Sequence, residues 1–453
     1  MYLPQYARRA QETHEQIDVG GLDEEAFVVS YNDVDLCLKV GAQGYLNVWT
    51  PHAVLIHEGS VSQTNVDTAS HQAKRKRFVG EQMAMYRKWL PTLVSDKAFN
   101  RNLSFDLQSV ELELNTQQVW RPMAWRRVPV VLGYPGGLWT SPHERVIAPF
   151  ERLKHDAIVD GMLSSTALSI PQEARFKPDV IVFQARLDAD HLQTVTRAKV
   201  LPDVFVVLDL NHLHLGADAP GEDAFAFSPE RLDLLQQCLS QVDRVIASTQ
   251  VLADIAREFH ADVRLLPSRL QPEIWGNLSS RRARGARPRV GLVSHDWQNR
   301  DLHMISTVVQ ALTDEVEWVV MGDHHGVLRA HSHESHDLPG ADQFPAALAG
   351  LDLDLALLPA VDNLFSTCKG NVDLLQLGAC GVPLICSDVR AYGGDFPITL
   401  VPNTLQAWVD VIRAHTSDLA SAALLGDQLR EHIRRDWMLD PAAIQAWQAA
   451  WLP

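Results

Sequence analysis

The chain is short of the features that mark secreted, membrane-spanning and nucleic-acid-binding proteins. Its five cysteines, Cys37, Cys238, Cys368, Cys380 and Cys386, are odd in number and form no CxxC pair. Free thiols in a reducing compartment are expected, rather than a disulfide framework. Cys380 and Cys386 flank a helix–strand junction and read as small core residues, not metal ligands. Positive charge is also scarce: 40 Lys and Arg stand against 56 Asp and Glu, a net −16. Broad nucleic-acid binding needs the opposite balance, so no nucleic-acid partner is expected. No apolar run reaches the roughly twenty residues of a membrane span. The opening "MYLPQYARRAQETHEQ" has no apolar signal core. A cytoplasmic protein is expected, at most peripheral at the inner face of the cytoplasmic membrane. Internal repeats and low-complexity tracts are missing too.

What is present is ample core material. Over 453 residues the hydrophobic fraction is 46% and the charged fraction 21%, enough for two or three domains. Residues 1–95 read as mixed helix and strand, closing with a helix at 70–90 that Pro91 ends; residues 96–127 read as a polar connector. From Val128 short β-rich runs alternate with helical stretches. "VPVVLG", "PDVIVF", "DVFVVLDL" and "DVRLLP" are apolar enough for buried parallel strands. Ser228 before Pro229 is a helix start. "SSRRARGARPR", residues 279–289, reads as an exposed linker. A second alternating block follows over 290–453, with strands "RVGLVS", "EWVVMG", "LDLALLP" and "PLICSD" and three closing helices. The expected class is therefore α/β, with two Rossmann-like lobes at 128–278 and 290–453.

Ligands in such sheets bind beyond the carboxyl ends of the strands. In the second lobe that edge is "LLPAVDNLFSTCKGNVDLLQLGACGVPLICSD", with Asp362, Asn363 and Lys369 on a polar loop before a helix near Asn371. Lys369 beside a helix N-terminus is either a surface lysine or a pyrophosphate seat. The stretch resembles the nucleotide-sugar-binding lobe of GT-B glycosyltransferases of the family 4 type, closest to a subgroup of bacterial surface-polysaccharide synthesis. It keeps "LDLALLP", Asn363, Phe365, Cys368, Lys369, "GACGVP" and "ICSD" in one register. The resemblance implies that Lys369 binds the donor diphosphate and that Asn363 and Phe365 line the donor pocket. The family's ribose-binding Glu is Gln376 here, which keeps an acceptor oxygen but loses charge assistance. In "RVGLVSHDWQNRDL" the family's turn is rewritten, and His295 becomes a candidate phosphate contact. In the first lobe "VVLDLNHL" puts Asn211 and His212 where relatives carry an acidic pair. Asp209 just upstream is either a solvated strand-end carboxylate or an acceptor-side contact. "HSHESHD" (331–337) and "GDHHG" (322–326) read as solvated loops rather than metal sites.

The N-terminal segment raises a separate question. In "GGLDEEAFVVSYNDVDLCLKVGAQGYLNVWTPHAVLIHEGS" the stripe Val34, Cys37, Leu38 predicts a helix capped by Asn32 or Asp33 and ended by Gly44, with "YLNVWTP" as a strand. The stretch also resembles the second half of a GT-A, family 2 inverting glycosyltransferase. That implies Asp33 as the base for the acceptor hydroxyl and His57 near the donor's metal, Mg or Mn. The usual nucleotide-binding half with its DxD-type motif does not precede it. A partial GT-A α/β remnant in front of a GT-B module is expected, with a metal needed only if the GT-A module were complete. The helix at 70–90 carries Lys74–Arg77 beside Phe78, Met83, Tyr86 and Trp89. It either packs on the remnant or meets an anionic membrane surface.

The implied activity is transfer of a sugar from a nucleotide-diphosphate sugar to a growing cell-surface glycan, O-antigen or similar polysaccharide, perhaps on a lipid-linked acceptor. Family 4 implies retention of configuration and no metal cofactor for the GT-B module. A catalytically inactive remnant that binds a partner or a glycan is the alternative, and a GT-B-fold sugar-nucleotide epimerase a third.

Overall fold

The computed structural model describes residues 19–48, 52, 68–97, 99–105, 111–119, 128–136, 142–212, 229–282, 286–293, 299–322, 328 and 330–453. His57 and His295 lie outside these, as do residues 323–326 of "GDHHG". The chain forms two units. The first takes Met1–Arg121 together with Leu168–Lys177 and Lys199–Pro202; the second takes the rest.

In the first unit helix α1 (Asn32–Ala42) starts after Tyr31, which has φ 68° and makes no side-chain cap. Neither Asn32 nor Asp33 is the N-cap. Each still satisfies a first-turn amide: Asp33 N donates to Asn32 Oδ1 and Val34 N to Asp33 Oδ1, both at 2.8 Å. The buried face is Asp35 and Leu36; the expected stripe of Val34, Cys37 and Leu38 is only half-buried. Gly44, at φ +88°, follows the helix end, where only glycine is unstrained. Residues 45–48 are exposed and irregular instead of a strand. Helix α2 (Thr68–Val94) runs through Pro91 rather than ending there. Pro91 removes a single i→i−4 bond near the helix end, while Met85 and Leu90 anchor that end in the core. The expected connector is anchored too. Arg175 donates to Leu103 O at 2.6 Å and lies 3.3 Å over the Phe105 ring.

The second unit holds two six-stranded sheets, every pair parallel. The first has order β2-β1-β3-β4-β5-β6, over Val130–Tyr134 (β1), Asp160–Leu163 (β2), Val180–Gln184 (β3), Phe205–Leu210 (β4), Arg244–Ala247 (β5) and Val263–Leu265 (β6). The second has order β12-β11-β10-β7-β8-β9. Its strands are Arg289–Val293 (β7), Glu317–Met321 (β8), Glu334–His336 (β9), Leu355–Leu358 (β10), Leu384–Ser387 (β11) and Thr399–Val401 (β12). The inner strands β1, β3, β5, β10 and β11 are buried from end to end because helices cover both faces, whereas the edge strands β6, β9 and β12 are partly exposed. Strand order reverses at β1 in one sheet and at β7/β10 in the other, the positions where such sheets open a crevice. β9 replaces part of the loop expected at "HSHESHD"; His333 Nδ1 accepts from Trp318 N at 3.0 Å and ties this edge down.

The expected lobe boundaries separate the strands but not the cores. Leu270 and Trp275, the latter in the one-turn helix Pro272–Trp275, pack with Val319, Phe344 and Leu348 of the second lobe. In return, the helix Pro441–Trp451 sends Ile444, Trp447, Ala450 and Trp451 into the first-lobe core beside Val131, Val180 and Val207. The two crossings meet where Leu270 N donates to Trp437 O at 3.0 Å and Leu439 N donates to Leu270 O at 2.8 Å. The segment 279–289 is likewise not an exposed linker throughout. Ser280 is buried, Arg282 pairs with Asp427 at 2.7 Å, and Arg289 pairs with Glu317 and Glu334 at 2.6 Å.

Candidate functional site

The carboxyl edge of the second sheet is built from β10, the short helix Leu364–Cys368 and α3 (Val372–Ala379). Three residues hold the loop after β10. Ala360 N donates to Ser387 Oγ, Ser387 Oγ to Asn403 Oδ1, and Asn403 Nδ2 to Ala360 O. Asn363 then N-caps the short helix, accepting from Ser366 N at 2.8 Å. A helix thus stands where the sequence suggested only polar loop. Phe365 is buried beneath it. Lys369 closes the turn and reaches Asp373 at 3.1 Å. One turn on from Asp373, Gln376 is 2% exposed. Asp373 and Gln376 share one face of α3, and Lys369, in extended backbone just ahead of that helix, reaches the face through Asp373.

Gln376 is sealed by the other lobe. Its Nε2 donates to Glu144 Oε1 at 3.0 Å. Glu144 sits in a π-helical turn, His143–Ile147, that leads into the helix Ala148–His155 after β1. It is 3% exposed, and its Oε2 has no hydrogen-bond partner among the described residues. Burial raises its pKa to about 8, with Asp373 adding to the shift. At neutral pH this carboxyl is therefore largely protonated. The folded state holds a proton that the unfolded chain releases at the ordinary glutamate pKa. Its contribution is thus complete in acid and lost as pH rises toward 8. Glu144→Gln is expected to flatten this dependence. In chemical denaturation at pH 5, 6.5 and 8, wild type should lose ground to the variant at each step, and parallel curves would contradict the assignment.

The next residue does different work. Arg145 is 1% exposed and clasps Asp209, itself 0% exposed, through Nε–Oδ1 at 3.0 Å and Nη2–Oδ2 at 2.6 Å. Arg145 Nη1 also donates to Leu266 O. Burial raises the Asp209 pKa and Arg145 pulls against it. Asp209 is accordingly neither a solvated strand-end carboxylate nor open to an acceptor. Asn211 is buried, with its carbonyl accepting from Ser248 Oγ at 3.1 Å, and His212 is half-buried.

The first lobe holds a residue the sequence did not single out. A cavity of about 50 Å³ at the edge of β1 and β3 is lined by Tyr134, Gly136, Ser164, Phe183, Gln184 and His191. Tyr134 and Phe183 stack at 5.0 Å, and His191 meets Phe183 edge-on at 5.9 Å. Burial lowers the His191 pKa to about 4, so the ring is neutral at pH 7. Its Nε2 is buried without a hydrogen-bond partner among the described residues.

In the first unit Asp33 stays half-buried at the start of α1. The sealed acid is Asp35, which takes Trp89 Nε1 at 2.6 Å and Lys88 Nζ at 2.7 Å, with Lys39 at 3.3 Å. Lys88 loses by burial and gains more from Asp35 and Asp23, so its pKa rises. Among the described residues no group of three or more His, Cys, Asp or Glu could hold a metal. No helix among them is long and apolar enough to cross a membrane.

No family model matches the chain. One curated relative, the uncharacterized protein y4gI of Sinorhizobium fredii (strain NBRC 101917 / NGR234), is 47% identical over 88 residues, 19% of this chain and 9% of that protein. The match therefore spans less than a tenth of the relative's length. Among solved structures, a sucrose-phosphate synthase from Thermosynechococcus elongatus is similar at TM-score 0.56 and 15% identity, over 71% of this chain and 98% of that one. A glycosyltransferase from Rickettsia africae ESF-5 reaches TM-score 0.48 at 9% identity, over 72% and 98%. The first likeness is one of fold, two Rossmann-like lobes in the GT-B arrangement; the second is too distant to add to it.

Proposed function

We propose that the chain is a glycosyltransferase of the GT-B type that moves a sugar from a nucleoside-diphosphate sugar to a glycan. The observation that carries the reading is Lys369 standing ahead of α3 at a strand-order reversal and paired with Asp373 on the helix's first turn, with Gln376 on the same face turned to the first lobe. A cation beside the start of α3 suits a diphosphate, since the helix adds unpaired N–H groups and positive dipole. Asn363 and Phe365 shape the adjoining loop. Fold likeness to an enzyme named for making a sugar phosphate, and the family 4 register of "GACGVP" and "ICSD", support the same reading. They favour retention of configuration and no metal in this module. Asp209, sealed by Arg145, is left out of the acceptor side. Surface-polysaccharide or O-antigen acceptors are the finer part of the proposal, as is a hexosyl donor. No step is routed through Asp33 or a metal at His57.

The test is thermal shift across UDP-, GDP-, dTDP- and CMP-sugars. Binding at a hundred times Kd should stabilise by about 2.7 kcal/mol, and Lys369→Ala should abolish most of that gain. Absence of a shift with every donor would overturn the reading. A lipid-linked acceptor would bring α2 to a membrane. Arg75, Lys76, Arg77, Phe78, Val79 and Gly80 are all exposed, although Phe78 also meets the Tyr31 ring at 5.7 Å; the basic cluster beside apolar side chains suits anionic lipid. Sedimentation with phosphatidylserine vesicles should exceed that with neutral vesicles, and equal binding would count against it.

A second reading is a non-catalytic module that binds a glycan or a partner protein. The sealing of Gln376 and Asp209 favours it. Turnover of any nucleotide sugar would exclude it.

A further inference from the structure

We propose that the loop at Val28 and Val29 is a membrane-inserting tip, which α2 holds beside its basic cluster, and that its partner is an anionic lipid surface. The inference deepens the lipid contact proposed for α2 and rests on it. Nine of the fourteen large apolar side chains exposed among the described residues belong to the first and smaller unit. Two of them adjoin: Val28 is 64% exposed and Val29 49%. Scattered exposed apolar residues are ordinary, whereas a group of them beside charge of one sign marks a contact surface.

The tip is held from both ends. Phe27, just before it, is buried, with Lys88 Nζ over its ring at 5.6 Å. Glu81 of α2, itself buried, accepts from Val29 N at 3.1 Å and from Ser30 N at 2.7 Å. Tyr31 then sits at φ 68°, a left-handed conformation that strains a residue with a Cβ, and its ring lies 5.7 Å from that of Phe78. A buried acid thus fixes the backbone of the loop against α2 and leaves two valine side chains in solvent. The same acid lies 3.9 Å from Arg77 Nε, which ties the tip to the basic end of the helix. In a chain of net charge −16, Arg75, Lys76 and Arg77 run against the average. Apolar side chains at the acyl boundary and cations at the lipid phosphates are the two halves of an interfacial contact. Glu24 and Glu25, exposed ahead of Phe27, oppose deeper entry, so the contact is shallow.

The experiment sediments the full chain with phosphatidylcholine vesicles and with vesicles of phosphatidylcholine and phosphatidylserine in equal parts. Wild type should prefer the anionic vesicles. Arg75→Gln/Lys76→Gln/Arg77→Gln should weaken that binding on the order of a hundredfold, and Val28→Ser/Val29→Ser about tenfold. What the valine variant keeps is electrostatic, so added salt should release it sooner than wild type. Insertion is read separately from an NBD fluorophore on Val29→Cys in a Cys37→Ser background, the other four cysteines being buried. Leu424→Cys, on the second unit, is the control. Emission from position 29 should shift to the blue on anionic vesicles, and emission from position 424 should not. If wild type shows no preference for anionic vesicles, the α2 contact and the tip fall together. If wild type prefers them but the valine variant binds equally well, or position 29 gives no shift, the tip alone is overturned and the α2 contact stands. A wild-type self-association lost in the valine variant, seen by sedimentation velocity without lipid, would give the surface to a second copy and overturn the lipid partner.

Discussion

Arg145→Met will cost the fold about 3–5 kcal/mol, because it strands a fully buried carboxylate. Asp209 lies fully buried near the carboxyl end of the inner strand β4, and its two oxygens are both taken by Arg145. Removing the guanidinium leaves a charge that must be desolvated alone or protonated at a cost. Asp209→Leu should be nearly as harmful, since it strands the cation. The double change Arg145→Met/Asp209→Leu should recover most of the loss, because buried ion pairs are often matched by apolar side chains of similar volume. Urea denaturation of the four proteins measures this directly. Additive losses would mean that the pair does not act as a unit.

Trp447→Ala should cost about 3–5 kcal/mol as well. Trp447 is 1% exposed, meets Trp451 edge-on at 5.9 Å, and lies 4.8 Å from the Arg145 guanidinium carbon. Truncation opens a void in the first-lobe core although the residue stands at the far end of the second lobe's stretch of sequence. It also takes the aromatic face away from Arg145. The losses from Trp447→Ala and Arg145→Met should therefore not add. A small loss, under about 1 kcal/mol, would show that Pro441–Trp451 is an appendage rather than part of that core.

The alternation of strands and helices from Val128 onward was legible because each element carries its own period and its own punctuation. "LDLALLP", "NVDLLQLGAC" and "PLICSD" read as β10, α3 and β11 without any knowledge of neighbours. Lys369 was legible too, as a charge placed by local geometry before a helix. What stayed hidden is pairing at long range. Arg145 and Asp209 are 64 residues apart, and Glu144 and Gln376 are 232 apart. Nothing local says which of two adjacent charges in "HERVI" faces which lobe. The one available signal was that Glu144 and Arg145 lead directly into the apolar run Val146–Phe150, where buried charges demand partners. The same holds for "NDVDLCLK". Asp33 drew attention by its position, whereas Asp35 is the acid that the fold encloses, because Lys88 and Trp89 arrive from more than fifty residues away. Strand "YLNVWTP" failed for the opposite reason: its β propensity was read without a partner strand to pair it.

The exchange of core residues between the two lobes has a consequence during synthesis. The first lobe leaves the ribosome first, yet Ile444, Trp447 and Trp451 reach it only after every strand of the second sheet has been made. Until then the surface that Val131, Val180 and Val207 present to that helix has no cover. The usual order, in which an early domain folds to completion while later ones are still being translated, is therefore closed to this chain. Its first-born lobe is the last to be finished: everything between its last strand, which ends at Leu265, and the helix that begins at Pro441 must be made before that surface is covered.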